Sequence, residues 1–128
     1  MKQLKIVTST IFILAFMVSH GQIKAKTNLN KNTLNFNQIN YIEIRNSSLA
    51  KSTAKRLTTR QTKSFIVTFN KAPESGIYKF IVHYWVDVYL KNGSKRVFRV
   101  NGAHIKEEGD NCFNLGDKNY LKTLWEQN

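Results

Sequence analysis

The chain holds one cysteine, Cys112, in 128 residues, and only 8 acidic side chains against 20 Lys and Arg. A single cysteine excludes an intramolecular disulfide, a four-cysteine zinc site and a CxxC redox pair, and the residues of a P-loop are missing too. The shortage of carboxylates leaves a formal net charge of +12, which suggests an acidic partner or surface and says nothing about the fold. What is present is ordinary for one globular domain: 41% apolar and 12% aromatic residues, well away from disordered, collagen-like or multidomain chains.

Residues 1–21 read as a secretory signal peptide. Lys2 and Lys5 form a positive start, Ile6 to Val18 is an almost unbroken apolar run, and Ser19 and Gly21 stand three and one positions before a cut ahead of Gln22. The run is about 13 residues, the length of such a segment, and shorter than the ~20 residues that span a bilayer. The rival readings are a buried N-terminal helix or an uncleaved anchor. A lipid anchor needs a cysteine directly after the cut, and Cys112 is far from it. The expectation is a periplasmic or extracellular product with no membrane span after cleavage, and the absence of disulfides fits a bacterial exported protein. Without Lys2 and Lys5, 18 of the 20 basic residues remain beside all 8 acidic ones, so the basic character belongs to the mature part.

Residues 22–38 are rich in Asn and Lys and read as a flexible leader; 39–128 form the domain. Ile39 to Arg45 reads as a strand with Ile42 and Ile44 on one face and Tyr41, Glu43 and Arg45 on the other. Leu49 to Leu57 is either a short edge strand or an irregular loop. Thr58-Thr59-Arg60-Gln61 has the form of a capping box, and Thr62, Phe65, Ile66 and Phe69 follow at helical spacing until the stop at Lys71 to Gly76. The rival for 64–69 is a strand, because Phe65, Val67 and Phe69 alternate.

Ile77 to Leu90 is the densest β-forming run, and Asn92-Gly93 signals a hairpin into Ser94 to Val100. Register follows from facial consistency, since a one-residue slip exchanges the faces. A three-residue loop, Lys91-Asn92-Gly93, pairs Val86 with Phe98, Tyr84 with Val100 and Trp85 with Arg99. The core face then holds Phe80, Val82, Tyr84, Val86, Val88, Leu90, Phe98 and Val100, with Arg96 near the edge. The opposite face carries His83, Trp85, Asp87, Tyr89, Lys95, Val97 and Arg99. A short strand, Ala103 to Lys106, an acidic turn, the passage Cys112 to Leu115 and a helix capped by Asp117 and running to about Trp125 complete the domain. The fold class is α+β: an antiparallel sheet of about four strands packed on one helix, with a C-terminal helix.

The chemistry-bearing residues fall into no catalytic pattern. Cys112 with His83 or His104 has the atoms of a thiol hydrolase, but nothing in the sequence makes them neighbours, and a small buried side chain is the plainer reading. His83, His104, Asp110 and Cys112 match no compact zinc spacing. Glu107, Glu108 and Asp110 read as a solvated acidic turn. No metal, cofactor or catalytic residue is expected. The informative cluster is Trp85, Tyr89, Arg99, Lys95 and His83, because Trp, Tyr and Arg are enriched at protein-binding hot spots and aromatics beside cations also suit anionic polymers or nucleic acid. The bland alternative is that the leader, the Leu49 to Leu57 segment or the last helix covers this face and makes Trp85 core.

Over about Thr58 to Lys106, the order helix, long strand, Asn-Gly hairpin and further strands loosely resembles the cystatin-like arrangement and small periplasmic PepSY-like inhibitor domains, in which an antiparallel sheet wraps a helix. The resemblance is topological. No QxVxG stretch is present, so it implies no activity and no site residue. The expectation is an exported, basic, non-enzymatic binding module whose partner is an exported or envelope protein. A binder of anionic envelope polymers or nucleic acid, and a thiol hydrolase using Cys112, are the alternatives.

Overall fold

The computed structural model describes residues 31–48, 53–76, 79–109 and 111–128, and the packed unit spans Thr33–Asn128. The expected signal segment, most of the expected leader, Leu49 to Ser52, Ile77 and Tyr78 at the start of the expected long strand, and Asp110 lie outside the described residues. Among those described, no helix is long and apolar enough to cross a membrane.

The unit is α+β. Its strands are β1 (Ile39–Asn46), β2 (Lys55–Arg56), β3 (Glu74–Gly76), β4 (Tyr84–Leu90), β5 (Lys95–Asn101), β6 (His104–Glu107) and β7 (Cys112–Asn114), with helices α1 (Thr59–Lys71) and α2 (Tyr120–Glu126). They form one antiparallel sheet in the order β2-β1-β4-β5-β6-β7-β3. Seven strands replace the expected four. Of the additions, β2 realises at Lys55–Arg56 the edge-strand alternative for Leu49 to Leu57, and β3 and β7 are three residues long, too short to show an alternation in sequence.

Helix α1 starts where the capping box places it: Thr58 Oγ1 accepts from the Gln61 amide at 3.2 Å and Gln61 Oε1 accepts from the Thr58 amide at 2.9 Å. Thr62, Phe65, Ile66 and Phe69 are buried, while Val67 is 51% exposed. A strand would have buried Val67 with Phe65 and Phe69, so helical periodicity wins here. Pro73 closes the helix, and the chain turns at once into β3, which pairs with β7.

The β4–β5 hairpin has the three-residue register, with Val86 opposite Phe98, Tyr84 opposite Val100 and Trp85 opposite Arg99. Gly93 sits at φ +89°, the left-handed position such a loop needs. The strand itself is shorter than the β-rich run. It begins at Tyr84; His83 still donates to the Val100 carbonyl and accepts from the Ser47 amide, but β1 ends at Asn46 and β5 at Asn101, and ahead of His83 the described chain forms no strand. Ile81 is accordingly 80% exposed and Phe80 and Val82 are only half-buried.

The core lies between one sheet face and the helices. Ile42 and Ile44 of β1, Val86 and Val88 of β4, Phe98 and Val100 of β5 and Ile105 of β6 are fully buried. Phe69 meets Phe98 edge-on at 5.1 Å and Phe65 stacks on Tyr120 at 6.5 Å, so both helices share this face. Leu121 and Leu124 of α2 are buried, and Trp125 lies 6.4 Å from Tyr84. Asp117 does not cap α2. Its carboxylate accepts from the Asn119 amide at 2.8 Å, and Asn119, the residue at the cap, makes no side-chain bond there. Lys55 Nζ ties β2 to the other end of α2, donating to the carbonyls of Trp125 and Asn128.

Packing also starts earlier than residue 39. Leu34 is buried, its amide donates to Asn70 Oδ1 and its carbonyl accepts from Asn70 Nδ2, each at 2.8 Å. A 3-10 turn at Phe36–Gln38, capped by Asn35, then leads into β1.

Candidate binding face

The sheet face opposite the helices carries side chains from five neighbouring strands in cross-strand rows. One row runs Arg45, Trp85, Arg99, Lys106; at about 4.8 Å per strand it spans roughly 14 Å. A second runs Arg56, Glu43, Asp87, Val97. A third runs Tyr41, Tyr89, Lys95. Residues directly opposite on one face are the pairs that interact; the first and third rows set aromatic rings beside cations, and the second sets cation and carboxylates together.

Tyr41 stacks on Tyr89 with centroids 4.4 Å apart and planes 23° from parallel. The Arg56 guanidinium lies 3.7 Å over Tyr41 and Lys95 Nζ 5.5 Å over Tyr89, so a cation flanks each side of the stack. Arg45 Cζ lies 5.3 Å over the Trp85 ring. The same guanidinium donates twice to Asp87, Nε to Oδ2 at 2.6 Å and Nη2 to Oδ1 at 3.0 Å. These contacts hold the rings in place before any partner arrives.

Asp87 is the correction on this face. Alternation puts it among the open residues, and it points that way, but it is only 2% exposed. The fork of Arg45 on the neighbouring strand compensates its burial, and the bond to Asp87 raises the Arg45 pKa above its usual value. The Tyr89 phenol is pushed up as well, by partial removal from water and then by the carboxylates of Glu43 and Asp87. Arg99 is looser, 3.9 Å from the exposed Glu108.

Of the residues singled out from sequence, Trp85, Tyr89, Lys95 and Arg99 share this face. Trp85, Tyr89 and Arg99 are half-buried and Lys95 is exposed. The Lys55–Arg56 strand and α2 do not cover Trp85: one extends the sheet edge and the other packs on the opposite side. His83 lies beyond the end of β4 and lines a cleft at that end of the sheet. Tyr41, Arg45, Arg56 and Lys106 complete the face and were not singled out. The alternation of β1 placed Tyr41 and Arg45 opposite the isoleucines, but only the pairing of β1 with β4 sets them beside Tyr89 and Trp85.

Cys112 is fully buried on β7 opposite Gly76, whereas a nucleophilic thiol sits in a partly exposed, electropositive setting. His104 Nδ1 lies 3.2 Å from Ser75 Oγ. Glu107 is paired with Arg96 through two bonds of 2.8 and 2.9 Å. Among the described residues no group of three or more His, Cys, Asp or Glu side chains comes together to hold a metal ion. No protein-family model, curated protein or solved structure matches the chain.

Proposed function

We propose that the protein is an exported, non-catalytic binding module that recognises another protein, of the envelope or the extracellular space, through the open face of β1, β4 and β5. The observation that carries this reading is the set of half-buried aromatics, Trp85 and Tyr89, held by Arg45 and Lys95 on a face against which neither helix packs. Large aromatics and arginines dominate the energetics of protein interfaces, and side chains already fixed in place lose little entropy on binding.

The test is capture with the tagged full-length protein from envelope and culture-supernatant fractions at low and high salt. A protein retained stoichiometrically at both salts, and lost when Trp85→Ala and Arg99→Ala are combined, is the expected result. Unchanged capture by the double variant overturns the assignment of this face.

A second reading, binding of an anionic polymer, draws support from the row Arg45, Trp85, Arg99, Lys106, in which three cations and a stacking surface lie side by side. It requires affinity that falls steeply with salt, so capture of anionic material only, lost at high salt, favours it over protein recognition.

A further inference from the structure

At the end of the sheet remote from the Lys91–Gly93 loop, the chain leaves β1, enters β4 and approaches α2 around a cleft of about 310 Å³. This is at the small end of the range for ligand pockets, about 300–1,000 Å³. The half-buried Tyr84 supplies its apolar wall, with the core residue Leu121 behind, and Lys118, Lys122 and His83 line it together with Asn46 and Asn119. No Asp or Glu is among the described lining residues.

The hydrogen-bonding balance of the cleft is one-sided. Asn46 Oδ1 accepts from both the Ser48 amide at 3.0 Å and the Ser48 hydroxyl at 2.7 Å, and Asn46 Nδ2 has no acceptor among the described residues. Lys118 has neither an ion pair nor a side-chain hydrogen bond among the described residues, and Asn119 makes no side-chain cap bond. Lys122 comes no nearer than 3.9 Å to Glu126, with both side chains more than 60% exposed, a pair too solvated to neutralise it. The rim is fixed all the same. Ser47 Oγ donates to the carbonyls of Val82 and His83, and Gly102 takes the left-handed φ of +57° in the β5–β6 turn beside Lys118.

A small cleft with spare donors, two uncompensated ammonium groups and an apolar wall is matched by a ligand rich in acceptors and negatively charged. We propose that it binds an acidic sugar, whose phosphate or carboxylate is held by Lys118 and Lys122, whose hydroxyls are met by the Asn46 and Asn119 amides, and whose carbon face rests on the Tyr84 ring. The site is separate from the Trp85 face.

The experiment is a titration of the full-length protein, labelled for NMR and checked by calorimetry, with glucose 6-phosphate, glucuronate, inorganic phosphate and glucose. Saturable binding of at least one sugar acid is expected, with shifts at Asn46, Ser48 and Asn119. It should weaken at least tenfold in Lys118→Gln/Lys122→Gln and stay unchanged in Trp85→Ala/Arg99→Ala. The two acids, compared with each other, distinguish a phosphate from a carboxylate source. Four results overturn the proposal: no saturation by either acid, equal affinity in the lysine variant, glucose binding as tightly as its charged relatives, or inorganic phosphate binding as tightly as glucose 6-phosphate. Both lysines are exposed, so the variant folds, and an unchanged melting temperature verifies it.

Discussion

Asp87 and Arg45 are joined by two hydrogen bonds, yet their exposures differ: the carboxylate is 2% accessible and the guanidinium side chain 30%. Removing one partner of a buried pair costs most when the charge left behind cannot reach water. Arg45→Ala strands Asp87 in the sheet and is expected to destabilise by about 3 kcal/mol. Asp87→Ala leaves an arginine that can turn toward solvent and is expected to cost about 1–2 kcal/mol. Urea unfolding of both variants checks the order, and a larger loss in Asp87→Ala would show that Asp87 does more than answer Arg45. The phenols give a second test at this scale. Burial, with a smaller contribution from Glu126, raises the Tyr84 pKa, as partial desolvation and nearby carboxylates raise that of Tyr89. A folded-state pKa above the unfolded one favours the protonated form. The contribution is therefore fully present below about pH 10 and is lost as pH climbs through the raised values. Phenolate absorbance should lag that of free tyrosine on alkaline titration, and Tyr84→Phe should soften the fall in stability above pH 10.

The elements that the sequence disclosed are those whose signals are local. The capping box of α1 joins Thr58 to Gln61 across three residues, and the hairpin register followed from Gly93 and the facial consistency of two adjacent strands. Both make predictions that need no distant partner. Thr58→Ala, which removes the acceptor for the Gln61 amide, should cost about 1 kcal/mol by thermal unfolding. Gly93→Ala meets no atom within 4 Å, so its cost is backbone alone, about 1–2 kcal/mol for a left-handed alanine; an effect near zero would mean that the loop relaxes. What remained hidden depends on partners far along the chain. For Leu49 to Leu57 it is the meeting of Glu43 with Arg56 that decides for the edge strand over the loop, and β3 and β7 exist because Glu74 and Gly76 meet Phe113 and Cys112, pairings with no short-range signature. Leu34 belongs to a stretch whose sparse apolar residues among asparagines and lysines mark no core; the side-chain amide of Asn70, thirty-six positions away, is what anchors it. The face shows the same division. Trp85, Tyr89, Lys95 and Arg99 were visible on one hairpin, whereas Tyr41, Arg45 and Arg56 became part of it only when β1 and β2 paired alongside.

At the scale of the molecule, the net charge of +12 invites an electrostatic account of function, and the distribution of charge on the open face argues against it as the main term. Arg45, Arg56, Lys95, Arg99 and Lys106 stand there with Asp87, Glu43 and Glu108, and the first two and Arg99 lie within 4.0 Å of a carboxylate. Three carboxylates among these five cations leave the face a net charge of only about +2, so it releases few counterions on meeting a polyanion, and each phosphate neutralised contributes only about −0.9 to the salt slope of duplex DNA binding. The slope for heparin or duplex DNA at this face should thus be shallow, near −2, with little change in Arg99→Ala. The aromatic contribution is different in kind. Trp85 and the Tyr41–Tyr89 stack offer apolar area whose burial is insensitive to moderate salt, and aromatic hot spots commonly cost 2 kcal/mol or more on truncation. Trp85→Ala should therefore lower affinity for the captured protein by about thirtyfold or more at both low and high salt, while melting within a few degrees of the parent protein because Trp85 is half-buried and outside the helix-facing core. A Trp85→Ala defect confined to low salt would transfer the recognition from the rings to the cations and with it the partner from protein to polyanion.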